Sequence, residues 1–578
     1  MKLSTLLVLA QALAIQAGTY LDKYCSASVI DLTGGDYCPN GLSAYCCVDD
    51  SKGRSNKYPN FHTCHYLNDA WGDDVSRDCN NEEGRIFCCS ALSSVAPSLH
   101  FPGSASYINQ STGLESSAGY WSSLESELLP ACRFTPANIN DLATGVRILS
   151  SNYCHFAIRS GGHMTWKGAA NYDGNGKEGV TIDMSSMDTV QVLNSWIQTG
   201  ISRNERVAKI GTGARWKDVY ARMDPRELAV PGGRVNTVGV GGFLTGGGMH
   251  FFAHAVGFAC NSVLQYEVVL GNGTVVVADS QENPDLWFAL KGGNNNFGIV
   301  ASFTMETIPI ANGLWGGFII SPISAADQTL EAFFDFGETA GRGEDASGSS
   351  VSILFAEPPN GTSFVSTFIT SAEGAVNPSI LSNITALPQN SNTLRKSTLG
   401  AFTAELASGY HAGKRELFGM ATFVNNLEML KLSKQIFNEI FSAFDHVTGY
   451  ERVYIIQPIH RAILASNEKR GGNNLGLSPN DGNLVWGTAV ISWEDPRFDS
   501  PIHAASRNFI AAINQAAKRR GLFHPYIYLN YALASQDPIS SYGVAIVQKL
   551  KNASAKYDPE QVFQRLVPGG FKLPKGGF

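Results

Sequence analysis

The chain has 578 residues, of which 44% are hydrophobic, and it carries 43 Lys and Arg against 50 Asp and Glu, for a formal net charge of −7. This length exceeds what one hydrophobic core supports, so two or more domains are expected, and the composition is that of an ordinary globular protein. The acidic balance and the lack of a long Lys and Arg run argue against a nucleic-acid partner.

The first residues have the pattern of a secretory signal peptide. Lys2 supplies a positive charge, residues 6–14 are apolar apart from Gln11, and small residues follow up to Ala17. The stretch is too short to cross a bilayer and suits removal near Ala17, although an ordinary N-terminal helix is the alternative. We therefore expect residues 1–17 to be a signal peptide and the protein to be secreted, with no membrane-spanning segment later in the chain.

Cysteines crowd into one segment near the start of the chain. An even number in a short secreted segment predicts a disulfide-rich module, here residues 20–95. A metal cluster is the alternative, but the segment has no CxxC spacing and adjacent cysteine pairs suit zinc poorly. Of the 11 cysteines, the eight in this segment are Cys25, Cys38, Cys46, Cys47, Cys64, Cys79, Cys88 and Cys89. Triplets compatible with glycosylation begin at Asn109, Asn272, Asn360, Asn383 and Asn552.

Residues 96–125, rich in Ser and Gly, are expected to form a linker with a first helix. From residue 126 to about 312, helical spacing, short apolar runs and glycine loops alternate, which predicts an α+β domain. Thr135 and Pro136 are expected to begin its first helix, and Gly271-Asn272-Gly273 indicates a hairpin. The predicted strands are residues 156–159, 207–210, 264–270, 274–278 and 297–304, and the predicted helices are residues 139–149, 216–223 and 284–290.

A second domain is predicted for residues 313–525, where glycine clusters are fewer. Its apolar patterns indicate strands at residues 351–355 and 488–493 and a long helix at residues 425–444, which together predict a sheet covered by helices. The third segment, residues 526–578, is expected to contain a strand at 526–531, a helix at 542–554 and an irregular tail.

Three glycine-rich loops are the first candidates for a ligand site: residues 160–162, 238–248 and 291–293. Glycine lets backbone N–H groups approach a ligand closely, and several N–H groups that point one way form a nest for phosphate oxygens. The alternative is tight packing between backbone segments. The dense run at 238–248 is the most informative, because it lies inside an otherwise apolar stretch.

The usual nucleotide and hydrolase signatures are missing. The GxGxxG match at residues 174–179 lies in a polar loop, with neither a strand before it nor a helix after it. The chain has no GxxxxGK[ST], no HExxH and no GxSxG. These absences argue against a P-loop site, a simple zinc protease and a serine hydrolase, and we expect no metal site.

His163 directly follows a predicted strand and a Gly-Gly turn, although a lone histidine in a loop is more often structural. The segment Ile158-Arg159-Ser160-Gly161-Gly162-His163 resembles the flavin-attachment motif of FAD-linked oxidases in the vanillyl-alcohol oxidase and p-cresol methylhydroxylase (PCMH) superfamily. The glycine run, residues 264–278 and Gly298-Ile299-Val300 match the same FAD domain in the same order.

The C-terminal segment resembles one group within this superfamily. Tyr528-Leu529-Asn530-Tyr531, then Tyr557-Asp558-Pro559 and Phe563, are similar to the closing segment of berberine bridge enzyme-like oxidases. Residues 568–572, with the sequence Pro-Gly-Gly-Phe-Lys, resemble the ending of fungal members. The resemblance covers about residues 105–578 and leaves the cysteine-rich module outside.

The resemblance implies a two-part, PCMH-type FAD-binding domain and a substrate domain of antiparallel sheet, with the C-terminal segment returning to the FAD domain. It implies FAD bound covalently, with His163 joined to the 8α carbon of the flavin. The loops at 160–162 and 237–242 would hold the pyrophosphate, and Asn530 would lie near the flavin. The implied cofactor-binding residues are His163, Arg159, Ser160, Gly161, Gly162, Thr237, Gly239, Gly241, Gly242, Asn261, Val300 and Asn530.

The sequence departs from the family pattern at two positions. Many relatives carry a second flavin link through a cysteine two residues before the threonine of the glycine run. Here Val235 occupies that position before Thr237, so we predict a single covalent bond. The Gly-Gly-His of the family is Gly241-Gly242-Phe243, which changes the pocket wall and argues against a carbohydrate oxidase.

Tyr528 is the predicted catalytic base, and Gln457 is expected to orient the substrate in a cleft between the FAD domain and residues 313–525. A phenol needs a lowered pKa for this role, and the alternative for Tyr528 is packing at a domain interface. Cys132 and Cys154 flank the first helix of the FAD domain, so a disulfide between them is expected. Cys260 would then be a buried thiol, with a redox or flavin-linking role as the alternative.

The prediction is therefore a secreted FAD oxidase that transfers hydride from a small organic substrate (an alcohol, an amine or a secondary metabolite) to the flavin, with O2 reduced to H2O2. One alternative is a tailoring enzyme that closes a ring oxidatively. Another is a non-catalytic binding protein with a degenerate flavin domain, attached to a cell wall or surface through the cysteine-rich module.

Overall fold

The structure is a computed structural model that describes residues 88–92, 98–112, 119–198, 200–358, 361–409 and 412–575. The predicted signal peptide and most of the cysteine-rich module lie outside the described residues. The described chain is an α+β fold with sheets of four, five and nine strands, as the sequence predicts. Within these ranges, every helix falls short of the length or the apolar character that a membrane span needs.

The four-stranded sheet has three parallel strands in the order β2, β4, β3, with β1 antiparallel at its edge. Helix α3 connects β2 to β3 and buries Leu142, Val146 and Leu149, as their spacing predicts. It begins later than Pro136, because the side chain of Asn138 accepts the N–H groups of the first turn. The elements are β1 Leu99–His100, β2 Cys132–Phe134, β3 Phe156–Arg159 and β4 Val180–Asp183, with α1 Ala105–Thr112, α2 Ser123–Ser126 and α3 Ile139–Ser151.

Two disulfides connect the end of the cysteine-rich segment to this sheet. Cys88 is bonded to Cys154 and Cys89 to Cys132, with Cα atoms 5.8 and 6.0 Å apart. The predicted bond between Cys132 and Cys154 is therefore wrong: a short helical turn that contains Cys88 and Cys89 packs beside α3, so each partner is taken by a cysteine of that turn. Cys89 shares a buried core with Cys132 and Cys154. Cys260 is a buried free thiol, as expected.

We expect Cys132→Ser to lower the free energy of unfolding by about 2–5 kcal/mol, since it reopens the loop that the bond to Cys89 closes. Urea unfolding under non-reducing conditions would measure the change. Cys260→Ser is the comparison, because it alters a cysteine that closes no loop. An equal loss of stability in the two variants, or a peptide map that joins Cys132 to Cys154, would contradict this connectivity.

The five-stranded sheet is antiparallel throughout, in the order β11, β10, β12, β8, β5. The predicted hairpin is confirmed, with Gly273 at φ +80° in its turn. The strands are β5 Val190–Leu193, β6 Trp196–Gln198, β7 Ile201–Arg203, β8 Val207–Gly211, β9 Leu228–Ala229, β10 Val263–Val269, β11 Val275–Asp279, β12 Ile299–Glu306 and β13 Ile308–Pro309. The helices are α4 Trp216–Met223, α5 Val240–Thr245, α6 Ala253–Val256 and α7 Pro284–Ala289.

The nine-stranded sheet is also antiparallel, in the order β17, β14, β16, β15, β20, β21, β19, β22, with β18 beside β14. Its strands are β14 Leu314–Pro322, β15 Ser349–Ala356, β16 Phe364–Ser371, β17 Ser391–Asn392, β18 Arg395–Ser397, β19 Arg415–Val424, β20 Glu451–Ile459, β21 Leu484–Trp493 and β22 Phe523–His524. The helices that follow in this part of the chain are α8 Ala326–Gly341, α9 Ser382–Thr385, α10 Leu399–Ala407, α11 Leu427–Phe441, α12 Arg461–Lys469 and α13 Asp499–Arg519. The domain boundaries at residues 312/313 and 525/526 stay predictions.

The two faces of this sheet have different neighbours, because side chains alternate along a strand. On β15, Ile353 packs into a core with α8, α11 and α13, whereas Leu354 lines a large cavity on the other side. On β20, Ile456 joins the same core and Gln457 lines the cavity. The sheet thus presents one face to its covering helices and the other to the cavity.

The predicted strand at residues 526–531 is wrong. The chain pairs with β19 only at β22 and then forms a 3-10 turn at Leu529–Tyr531. Tyr526 and Tyr528 are buried because both rings stack on Trp486, at 6.2 and 4.2 Å. Their alternate burial imitates a strand without the hydrogen bonds of one. The remaining helices are α14 Pro538–Ser541, α15 Val544–Tyr557, which confirms the helix predicted at 542–554, and α16 Val562–Arg565.

Candidate active site

A large cavity lies between the glycine loops and the open face of the nine-stranded sheet. Loops that follow β3 and precede α5 form one wall, and β15, β20 and β21 form another. The turn at 529–531 connects the two, since Asn530 donates to the carbonyl of Phe243 and the hydroxyl of Tyr531 accepts from Arg234. Both predicted catalytic residues and most predicted cofactor residues line it: Tyr528, Gln457, His163, Ser160, Gly161, Gly162, Gly239, Gly241, Gly242, Val300 and Asn530.

The glycines in the loops that line the cavity have two different roles. Gly161 and Gly239 pack backbone against backbone, and a Cβ on Gly161 would lie 2.4 Å from the nitrogen of Gly239. This is the close packing that was the alternative interpretation of the glycine run. Gly242 differs, because a Cβ there would meet no atom within 4 Å. Its backbone therefore faces open cavity, which leaves room for a ligand to contact it.

His163 is half-buried and stacks on Trp121, with ring centroids 4.6 Å apart. Its Nε2 lies 3.3 Å from Oγ1 of Thr237. Burial, together with the charge of Arg215, lowers the pKa of His163 to about 3. The ring is therefore neutral near pH 7 and keeps a nitrogen lone pair, which a nucleophile requires. Arg215 also donates to the carbonyl of Thr237, so it fixes the neighbour of His163.

Three predicted cofactor residues do not line the cavity. Arg159 is buried in an ion pair with Asp183 at 2.9 Å. Asn261 donates to Asn467 at 2.6 Å and lies in a group of buried amides. Thr237 is at the edge of the site, where it contacts His163. Arg159 and Asn261 thus support the walls of the cavity and are set back from its interior.

Tyr528 lies deep in the cavity, where the ring is 1% exposed. Its oxygen accepts the N–H of Met249 at 2.9 Å and Nδ2 of Asn530 at 3.1 Å. The structure contradicts the expectation that the pKa of Tyr528 is lowered, as the role of a base would require. Burial and the neighbouring Tyr531 raise the pKa of Tyr528 above the ordinary value of 10.0, so the side chain is a neutral phenol near pH 7.

Gln457 leads to a residue that the sequence did not indicate. Its Oε1 accepts a hydrogen bond of 2.8 Å from Arg234, which also lines the cavity. Arg234 follows Gly232-Gly233 in a loop without periodicity. A single arginine in such a loop belongs to no recognisable motif. Only its contacts with β15 and β20 in the folded protein show that it belongs to the site.

The residues present fit a flavin nucleotide. Gly242 has open space beside its backbone, and the neutral ring of His163 lines the same cavity. Val235 and Phe243, the two departures from the family pattern, both line the cavity. Cys260 does not line it, and burial raises the pKa of its thiol to about 12.

Comparisons with known proteins agree with this geometry. Residues 130–279 match the family described as FAD binding domain. The FAD-dependent monooxygenase sdcF of Emericella nidulans is 35% identical over 494 residues, which cover 84% of this chain and 98% of that protein. Bifunctional solanapyrone synthase of Alternaria solani is 31% identical over 447 residues, which cover 77% of this chain and 82% of that protein. The fold and the cavity thus define an FAD-dependent oxidoreductase.

The structure of glucooligosaccharide oxidase from Acremonium strictum has the same fold, with a TM-score of 0.65 and 17% identity over 85% of this chain and 100% of that one. Its description names a 6-S-cysteinyl, 8α-N1-histidyl FAD. The likeness confirms the predicted PCMH-type fold, with an antiparallel sheet covered by helices. The chain belongs to the family of FAD-dependent oxidoreductases that includes sdcF and that carries this FAD binding domain.

Proposed function

We propose that the protein is an oxidase that holds FAD through one covalent bond to His163 and oxidises a small organic substrate, with O2 as the electron acceptor and H2O2 as the product. The observation that carries the proposal is a single cavity that His163, Tyr528 and Gln457 line together, with the histidine ring neutral. When bound, the flavin accepts hydride from the substrate and passes the electrons to O2.

Each wall has its own part in binding the cofactor. The loops at 160–162 and 237–242 would hold the pyrophosphate, and Thr237 would orient the ring of His163 through Oγ1. Asn530 and Val300 would contact the flavin. A single link is favoured because Val235, at the position of the second linking cysteine, has no nucleophilic atom and the thiol of Cys260 is off the cavity wall.

Tyr528 is the proposed acceptor of the substrate's proton, and Gln457 helps to place the substrate. The donors from Met249 and Asn530 stabilise negative charge on the phenol oxygen, and the charge of Arg234 acts in the same direction. Burial of the ring has the opposite and larger effect, so the pKa of Tyr528 stays above its ordinary value in the protein without substrate. Ionisation of Tyr528 would therefore limit the rate, and it becomes easier as pH rises.

Tyr528→Phe is expected to slow flavin reduction by about 100-fold or more, since a positioned acid or base contributes on that scale. Stopped-flow absorbance under anaerobic conditions measures the step. Tyr526→Phe is the matched control, because Tyr526 stacks on the same Trp486 but its hydroxyl has no hydrogen-bond partner among the described residues.

The pH dependence is the second readout for Tyr528. Because its pKa lies above the assay range, the ionised fraction rises with pH, so the rate should increase about tenfold for each unit between pH 6 and 8. The rise should disappear in Tyr528→Phe. A flat profile in the unsubstituted enzyme would show that another group accepts the proton.

Peroxide release during a substrate screen tests the oxidase reaction itself, with small alcohols, amines and secondary metabolites as candidates. A monooxygenase or a ring-closing enzyme is the second candidate, favoured by the names of relatives that match most of their length. The two reactions differ in the fate of oxygen. One H2O2 for each substrate oxidised supports the oxidase, whereas label from ¹⁸O2 in the product supports a monooxygenase.

Secretion is part of the proposal and is supported by the two disulfides. The cysteine-rich module would contact a cell wall or surface. Expression in a secreting host and N-terminal sequencing of the product test this, with a start near Gly18 as the expected result. A colourless purified protein would instead favour the binding-protein alternative.

A further inference from the structure

The charge on the cavity wall is unusual. Among the described residues that line the cavity, Arg234 is the one with a permanent charge, and no Asp or Glu is among them. A cation beside apolar surface is costly when no anion compensates it. The cavity wall therefore has a charge that an anionic partner would balance.

Arg234 is held in place by neutral groups. It donates to Oγ of Ser352 at 3.1 Å, to Oε1 of Gln457 at 2.8 Å and to the hydroxyl of Tyr531 at 2.9 Å. In the part of the chain that the structure describes, these partners contain no carboxylate. A guanidinium has five N–H donors, so three hydrogen bonds leave further donors for a ligand.

The cavity that Arg234 lines is mostly apolar. The same cavity is lined by apolar side chains from several elements: Phe251, Leu354, Phe368, Leu406, Phe418 and Val490. A ligand that fills this space is largely apolar and has one site for an ionic contact. An amine would place a second cation beside Arg234 with no carboxylate to receive it, which is unfavourable.

We propose that Arg234 binds an anionic oxygen of the substrate, so that the substrates are largely apolar molecules with a carboxylate or an acidic enol or phenol. This inference rests on the proposed oxidase function and narrows its substrate class by removing amines. Hydrogen bonds between a guanidinium and an anion are stronger than those between neutral groups. The forked arrangement of the guanidinium N–H groups suits the oxygens of a carboxylate or an enolate. Gln457 acts through Arg234, as a positioning residue.

The flavin is a second source of an electron-rich oxygen, and the contacts favour the substrate. Ser352 and Gln457 belong to β15 and β20, on the cavity wall that the nine-stranded sheet forms. Arg234 is thus held against the face that the substrate domain presents to the cavity. A direct role at the flavin would instead change the cofactor's own properties.

The test compares pairs of ligands in which one methyl group removes the acidic proton and hence the charge. We would titrate the purified holoenzyme by calorimetry with 4-hydroxy-6-methyl-2-pyrone and its 4-methoxy ether, and with 2-naphthoic acid and its methyl ester. The acidic member of at least one pair is expected to bind about 10- to 100-fold more tightly, the scale of a hydrogen bond to a charged group. Equal affinity within both pairs would overturn the inference.

Variants then assign the preference to Arg234. Arg234→Gln should remove the difference within a pair, and Arg234→Lys should keep part of it. A variant that keeps the preference but shifts the flavin's reduction potential would place the charge at the cofactor and overturn the inference. Should either variant fail to fold, the ligand pairs on the unsubstituted enzyme still decide. A colourless protein refutes the proposed function, whereas a yellow one without acid preference refutes only the inference.

Discussion

Replacing His163 by alanine is expected to release the flavin from the protein. The unsubstituted enzyme, precipitated with acid, should keep its yellow colour in the pellet, and His163→Ala should leave that colour in the supernatant. The reason is that His163 offers a neutral ring nitrogen on the cavity wall, while Val235 offers no second attachment point. Absorbance of the two fractions near the flavin maxima measures the result.

His503→Ala is the matched control for this experiment. His503 is also half-buried and also packs against a tryptophan, Trp493 at 6.1 Å, but it lies on α13 away from the cavity. Its replacement should leave the colour in the pellet. Colour that stays in the pellet of His163→Ala would show that another residue forms the bond, and mass spectrometry of the flavin-bearing peptide would identify it.

The sequence predicted those parts of the fold that depend on local patterns. Strand Phe156–Arg159 and helix Trp216–Met223 have the predicted bounds, because apolar periodicity and glycine turns act over a few residues. The prediction of His163 depended on a motif that is contiguous in the chain. His163 lines the cavity, and its bond to the flavin stays a prediction.

The failures share a different cause, since each depends on contacts between distant segments. Cys132 could be paired correctly only with knowledge that the turn at Cys88 and Cys89 packs beside it. Tyr526 and Tyr528 looked like a strand because Trp486 buries both of them. Such contacts leave no signal in the local sequence.

Arg234 is the clearest example of a site residue that sequence reasoning missed. Its three partners lie 118, 223 and 297 positions further along the chain. The motif reasoning gave weight to the glycines around it and to Val235 beside it. Arg234 matters because the fold places it in a cavity whose described lining contains no carboxylate, and no local pattern in the sequence records that arrangement.

The glycine loops provide the second large effect, because two glycines on the same wall should respond in opposite ways. Gly161→Ala places a methyl group 2.4 Å from the backbone of Gly239, where no flexible side chain can yield. We expect it to destabilise the fold by about 1–3 kcal/mol or more, as overpacking does. Thermal unfolding of the protein measures this loss.

Gly242→Ala should leave the stability of the protein within about 0.5 kcal/mol of the unsubstituted value, because its methyl group would meet no protein atom within 4 Å. It should instead lower flavin incorporation by about 5- to 100-fold, because the added methyl group would clash with the bound cofactor at the cost typical of overpacking. Gly409→Ala, on an exposed surface with its nearest neighbour atom at 3.9 Å, should change neither quantity.

The pair separates the two interpretations of the glycine run. If Gly161→Ala and Gly242→Ala both lower stability and leave the flavin content of the folded fraction unchanged, the run is a packing device and the cofactor contacts lie elsewhere. If only Gly242→Ala loses flavin, backbone at that position contacts the cofactor, as the open space beside it indicates. Flavin absorbance per mole of folded protein is the deciding quantity, since it is independent of how much protein each variant yields.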